Sequence, residues 1–333
     1  MMFLVVSLHV CELTPLSQGH SALFLYAATI PAVDGFVSIS GWYGIRFAWR
    51  KFFRLWGLMV FYMALSTGAV VLAKLLDPAF PVGIPRPFGY GGWWFAVTYL
   101  ALMMVAPIVN AGLETLAKTP RQLWIALGLL VAMECMTWGL LPLGIQAVSW
   151  DALSLENLVF VYVVARALSL LGCGEWLKRI GRWTFPLFTL LLVMAVPLRE
   201  LAGTWLGQDQ LWRFKLDPMV CDTVRSGLDF DAPPIWLTGL AGLGCFLALR
   251  LPYWVARVAG FIGPSMFGVY LIHTTKIAEF GYTKVAQWAI ETFPNTPTIV
   301  LALLVSALVF CSALALDLIR RGGLALLRAR FGR

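Results

Sequence analysis

Six ionisable side chains stand inside long apolar stretches of this 333-residue chain: His9, Asp34, Glu134, Arg166, His273 and Asp317. Such groups are expensive in apolar surroundings and mark functional positions by default. His9 lies in FLVVSLHVCE. An imidazole is the side chain best suited to take a proton near neutral pH, although a histidine hydrogen-bonded between two helices would read the same way. His273 lies in SMFGVYLIHTT, with Tyr270 three residues earlier on the same helix face, either as a second polar support or as packing. Asp34 opens VDGFVSISGWYG (33–44), which also carries Ser38 and Ser40. Small residues let helices approach closely. A tight crossing followed by a turn at Gly41 explains that glycine, but it does not explain Asp34. Glu134 and Arg166 could form an ion pair within the membrane, structural or catalytic. Asp317 meets a basic tail, and a local pair with Arg320 or Arg321 is expected.

The densest charge follows directly in RFAWRKFFRLW (46–56). On a helix, Arg50 and Arg54 are i and i+4, and Lys51 and Arg54 are i and i+3, so one face carries three cations. Guanidinium groups grip phosphate bidentately, which suits a polyanionic ligand. The same residues could instead anchor a helix end, their long stems reaching to the membrane surface. Other chemistries lack their signatures. There is no phosphate-binding GxxxxGKS or GxxxxGKT, no GxGxxG, no HExxH and no CxxC pair for zinc, so no metal is expected. The His-x4-Asp pattern of phospholipid acyltransferases fails at His9, His20 and His273, where Thr14, Leu25 and Ala278 stand at the fifth position.

These residues need elements to hold them. Hydrophobic residues make up 60% of the chain and charged residues 13%, against about 25% charged in a soluble domain. That excludes a disordered chain, a coiled coil and a secreted disulfide scaffold. A spanning helix takes roughly 20 apolar residues. Ten apolar segments can be read, at about 1–11, 22–43, 55–73, 92–112, 122–143, 157–173, 183–199, 235–254, 259–280 and 298–318. The expectation is an all-α integral membrane protein, a polytopic bundle of about ten transmembrane helices forming one transmembrane domain over 1–333. Lys and Arg gather in cytoplasmic loops. With ten spans, the basic tail (Arg320, Arg321, Arg328, Arg330, Arg333) shares a side with the clusters at 46–54, 118–121, 178–182 and 250–257, which together hold most of the 25 Lys and Arg. Both termini are therefore expected in the cytoplasm. The acids of the 200–234 loop, which also carries Trp205 and Trp212, fall on the other side. The net charge of +8 reads as a topology label rather than a nucleic-acid surface.

The first segment is short. Met1 to Cys11 rises only about 16 Å as a helix, less than a hydrocarbon core of about 30 Å. The expectation is a truncated first helix, with about ten residues preceding Met1. No signal peptide is read there. Of the six cysteines, Cys11 and Cys221 lie toward the outer face and could pair.

Taken in order, four pieces resemble the bacterial membrane acyltransferase-3 family, which modifies cell-surface glycans. MMFLVVSLHV is similar to the end of the family's first helix, where a His follows an Arg by eleven positions. VDGFVSISGWYG resembles the segment with Asp or Asn before aromatic residues and then Ser-Gly. KFFRLW resembles the basic-x-x-Arg motif, matched by Lys51 and Arg54. SMFGVYLIH resembles the late Tyr-Leu-Ile-His run, and the stretch from Trp93 to Leu116 is similar to the family's Trp-Phe opening of span four. The resemblance covers positions 1 to about 120 well and 259–280 fairly. The Arg expected before His9 would lie upstream of Met1.

The resemblance implies an O-acyltransferase of the bacterial cytoplasmic membrane. The donor substrate would be acyl-CoA, in particular acetyl-CoA. The acceptor would be a hydroxyl of a cell-surface glycan or its lipid-linked precursor. His9 would be the general base, or carry the acyl group transiently, and Asp34 would orient His9 or a neighbouring cation. Arg50, Lys51 and Arg54 would hold the CoA phosphates. Ser40, Glu134, Arg166, Tyr270 and His273 would give intramembrane support. The implied partners are the glycan acceptor, the lipid bilayer and polysaccharide-assembly proteins, with no nucleic acid. The rivals are a transporter or flippase, expected to show repeated halves with broken helices, and an inactive member of the same fold.

Overall fold

The structure, a computed structural model, describes residues 1–85, 93–140, 154–206 and 232–331. Among these the regular structure is helical, with no strand. The chain runs through α1 (Met2–Leu13), a 3₁₀ turn (Pro15–Gln18), α2 (His20–Thr29), α3 (Ala32–Tyr43), α4 (Trp49–Leu76), α5 (Trp94–Ala117), α6 (Pro120–Leu140), α7 (Leu155–Leu170) and α8 (Gly174–Leu206). After the next described stretch begins come α9 (Pro233–Ala248), α10 (Tyr253–Ile262), a 3₁₀ turn (Gly263–Ser265), α11 (Met266–His273), α12 (Lys276–Thr292) and α13 (Thr298–Phe331).

Each of the ten expected apolar segments falls on helix. Among the described residues six stretches are long and apolar enough to cross a membrane: Ser21–Tyr43, Trp49–Leu76, Trp94–Ala117, Gly174–Leu198, Tyr253–His273 and Thr298–Leu326. Met2–Leu13 and Pro233–Ala248 are shorter apolar helices. Large apolar side chains such as Leu75, Ile108, Leu129, Leu190 and Ile319 stand exposed along these helices, which suits lipid rather than water as the surrounding solvent. The protein is a multi-pass all-α membrane protein.

Three expected segments are divided, and one of them, 235–254, breaks between Ala248 and Tyr253. Segment 22–43 breaks at Pro31, which has no N–H to continue the ladder and stands instead at the head of α3. Segment 259–280 begins earlier, at Tyr253, passes through the Gly263–Ser265 turn and ends at His273. The next helix, α12, is less apolar and is capped by Thr275, whose hydroxyl accepts from the Ala278 N–H at 3.3 Å. Most of the 200–234 loop lies outside the described residues, and so does Cys221; Cys11 carries a buried free thiol.

The described chain forms two compact units. The first contains residues 23–53 and 94–249, with α3, α5, α6, α7, α8 and α9. Its core is built from Val37, Leu102, Ala106, Phe160, Tyr162 and Leu243. Gly41 lets α3 lie against the backbone of α7, because a Cβ there would sit 2.5 Å from the Tyr162 carbonyl oxygen. The expected close crossing is present, but the turn comes three residues later. Gly44 has φ of 73° and ends α3, donating its N–H to the Ser40 and Gly41 carbonyls.

The second unit contains residues 2–22, 54–93 and 250–333, with α1, most of α4, and α10 to α13. Here Asp317 of α13 is fully buried against Gly268 of α11. It accepts from Tyr62 Oη at 2.7 Å and from Arg320 Nε at 2.9 Å, and forms an ion pair with the same guanidinium, Nη2 lying 2.9 Å away. The local pair expected for Asp317 is thus made with Arg320. Arg321 goes elsewhere, donating to the Phe261 carbonyl at 2.9 Å and to Ser265 Oγ at 2.8 Å.

Candidate active site

In the second unit, α1 presents His9 to α11. Its Nδ1 lies 2.9 Å from His273 Nε2, and the ring centroids are 5.0 Å apart. The other nitrogen of His273, Nδ1, lies 2.8 Å from the Val269 carbonyl oxygen. Since a carbonyl only accepts, His273 Nδ1 must carry the hydrogen. In a neutral His273, Nε2 then has the lone pair and accepts from His9 Nδ1–H. The remaining nitrogen, His9 Nε2, keeps its lone pair for a reacting partner. Two hydrogen bonds thus fix both tautomers.

The rings are held because α11 ends cleanly at His273. Its last carbonyls would otherwise be orphaned. The Tyr270 carbonyl accepts from Thr274 Oγ1 at 2.7 Å, the Leu271 carbonyl from Trp93 Nε1 at 3.1 Å, and the Ile272 carbonyl from Thr275 N–H at 3.1 Å and Oγ1 at 2.8 Å. Tyr270 is buried and its ring meets His273 edge-on at 5.8 Å. His273 also stands at the carbonyl end of α11, where the helix dipole favours positive charge.

In the first unit, Arg46, Arg50 and Lys51 are exposed, and Arg54, one turn along α4 from Arg50, is exposed as well. None of the four side chains makes a salt bridge or hydrogen bond among the described residues. Four cations at a helix start oppose the positive end of the helix dipole. Residue 48, whose carbonyl accepts the first helical bonds from Lys51 and Phe52, is an alanine and offers no capping oxygen. An anion with several oxygens would relieve both problems.

The family model for the acyltransferase domain matches residues 1–316. The chain belongs to the acyltransferase-3 family. It is a membrane acyltransferase. No curated protein and no solved structure matches it significantly.

The structure brings His9 and His273 together as a pair, and Tyr270 packs beside them. Ser40 accepts or donates to Tyr99 Oη at 3.2 Å and donates to the Phe36 carbonyl at 3.0 Å, inside α3 and its neighbour α5. Asp34 is buried on α3, close against Gly239 of α9. Glu134 is buried on α6. The expected Glu134–Arg166 pair is corrected: Arg166 Nη2 donates to Glu114 Oε1 at 2.9 Å. Glu114 belongs to α5, which runs to Ala117, beyond the apolar segment that ended at residue 112, and its exposed carboxylate reaches α7.

Three residues of the acyltransferase were missed by sequence reasoning. Tyr162, Asn110 and Glu114 gather around the connection between α3 and α4. A signal was available. Asn110 and Glu114 are i and i+4 on one helix, and Tyr162 and Arg166 are i and i+4 on another. Matched polar spacings in two apolar helices suit a two-rung ladder.

Proposed function

We propose that this acyltransferase transfers an acyl group, acetyl in the simplest case, from acyl-CoA to a hydroxyl of a cell-surface glycan or its lipid-linked precursor. The observation that carries the reading is the His9–His273 bond, with its lone pair on His9 Nε2. In the proposed step, His9 Nε2 takes the proton of the acceptor hydroxyl as that oxygen attacks the thioester carbonyl carbon. The carbon–sulfur bond breaks, and the CoA thiolate leaves with the proton that His9 returns. His273 shares the charge of the transient imidazolium through the 2.9 Å bond. Arg50, Lys51 and Arg54 hold the CoA phosphates, a role supported by their exposure and their lack of acidic partners. Asp34 orients a neighbouring cation. The charge asymmetry of the loops supports a cytoplasmic side for both termini and for these cations, where acyl-CoA is available.

The test compares O-acetyl ester on the surface glycan of cells making wild type, His9→Ala or His273→Leu at equal protein levels. Loss with His9→Ala and a strong reduction with His273→Leu are expected. Unchanged ester content in His9→Ala would sink the role of His9 as base.

A further inference from the structure

The five residues between α3 and α4 carry Arg46 and deliver Arg50 and Lys51. This connection has no regular structure of its own, yet its backbone is held by a closed ring of side-chain bonds. The Ile45 N–H donates to Tyr162 Oη at 2.9 Å. Tyr162 Oη donates to Asn110 Oδ1 at 2.8 Å. Asn110 Nδ2 donates back to the Ile45 carbonyl at 3.0 Å. One phenol and one amide thus satisfy both peptide groups of Ile45, and each satisfies the other. Every donor and acceptor role in the ring is fixed, since the peptide N–H can only donate and the carbonyl can only accept.

The ring sits on rigid supports. Tyr162 is fully buried in the core of its unit. One turn further on, Arg166 bonds Glu114, so α5 and α7 are joined twice at matching heights. The Arg166 guanidinium also packs against Gly44, where it would lie 3.1 Å from an added Cβ. The residue before Ile45 therefore has a conformation that only glycine adopts easily, and space that only glycine leaves. Such investment in one peptide is more than a surface connection needs, because water would satisfy exposed peptide groups.

We infer that Asn110 and Tyr162 are positioning residues for a polyphosphate site, holding Ile45 so that Arg46, Arg50 and Lys51 are preorganised for the phosphates of the acyl donor. This rests on the reading of those cations as the CoA site. Long cationic side chains lose conformational freedom when they bind; a backbone already fixed lowers that cost and raises affinity. The ring does not touch the reacting carbonyl, so its effect belongs in binding and not in turnover of the bound donor.

The experiment uses the purified full chain in lipid nanodiscs, titrated with coenzyme A, with 3′-dephospho-CoA and with pantetheine, alongside acyl-transfer kinetics against acetyl-CoA. Tyr162→Phe removes two bonds of the ring, and Asn110→Asp replaces the donor to the Ile45 carbonyl by a repelling oxygen. Each is expected to weaken coenzyme A binding by roughly 3- to 20-fold, the range for a lost buried hydrogen bond. Pantetheine binding and kcat at saturating donor are expected to stay within about twofold, the scatter of surface-type effects. Arg50→Gln and Lys51→Gln test the underlying reading. If they weaken coenzyme A binding while Tyr162→Phe and Asn110→Asp do not, the ring is structural only, and the inference falls while the donor site stands. If neither cation variant changes coenzyme A binding, the donor reading falls and the inference with it. Should Tyr162→Phe fail to fold, Asn110→Asp decides alone, since it keeps the acceptor for the Tyr162 hydroxyl.

Discussion

The histidine pair and the cation cluster differ in what the chain itself supplies. At His9 and His273 every nitrogen but one is bonded within the unit, and the helix that carries His273 has its terminal carbonyls satisfied. At Arg46 to Arg54 the backbone is fixed, while the charged ends meet no acid among the described residues. His9 is only partly buried, and its Nε2 is the one nitrogen of the pair with no partner among the described residues, so it is open to a substrate proton. An exposed cation is cheap to leave in water, so the openness of the cluster is informative only through its number and its place at a helix start. The two regions therefore answer to different experiments. The first responds in turnover, and the second in donor affinity and salt dependence.

The largest expected effect is at the base. His9→Ala should cost on the order of 10²- to 10⁴-fold in kcat, the usual contribution of a positioned general base, with the KM for acetyl-CoA changed little. A variant that loses donor affinity instead would blur the distinction between the regions. The next effect is at its partner. His273→Leu leaves His9 Nδ1–H without an acceptor and should lower kcat roughly 10- to 100-fold, the worth of one buried hydrogen bond that also fixes a tautomer. His273→Gln, whose amide oxygen can accept from His9, should recover part of that loss. If leucine and glutamine behave alike, tautomer control is not what His273 provides.

The pairing behind these two predictions was only half legible in the sequence. Both histidines could be singled out, since each stands alone in an apolar segment. Their contact could not, because the residues are 264 positions apart and no local periodicity links them. The helices were legible because lipid demands long apolar runs; their breaks at Pro31 and at Gly263–Ser265 carry the ordinary signals of proline and glycine. Arg166 shows the opposite failure. Its buried acid was sought at mid-membrane, in Glu134, whereas the partner is Glu114 near the end of α5. Segment ends are set by capping and tertiary contact, which hydropathy does not record, so a carboxylate just past the apolar run was not considered.

An effect of similar size, in affinity rather than turnover, belongs to the cations. Arg50→Gln combined with Lys51→Gln should raise the KM for acetyl-CoA roughly 10- to 100-fold, since charge-assisted bonds to phosphate contribute about 1.5–3 kcal/mol each and the long side chains can partly substitute for one another. Turnover at saturating donor should hold. Wild type should lose donor affinity as salt rises, and the double variant should lose much less. Equal salt dependence in the two proteins would return these residues to the role of membrane anchors.

The smallest change is at Gly44, and it joins the two kinds of observation. Its φ of 73° is left-handed, and an added Cβ would meet the Arg166 guanidinium. The backbone strain in Gly44→Ala is about 1–2 kcal/mol, and the flexible end of Arg166 can move by the few tenths of an ångström required. The helices on either side are secured by their own packing, so the chain should fold with a thermal midpoint lowered by a few degrees, as expected for a loss of this size in a large domain. Relief of the strain would fall on the connection rather than on α3, because Gly41 is locked against the α7 backbone. That shifts Ile45 within its ring and, with it, Arg46 and the start of α4. Donor affinity should therefore fall by several-fold while kcat holds, in the same direction as Asn110→Asp. A loss of melting temperature with donor affinity intact would mean that the connection can relax without moving the cations.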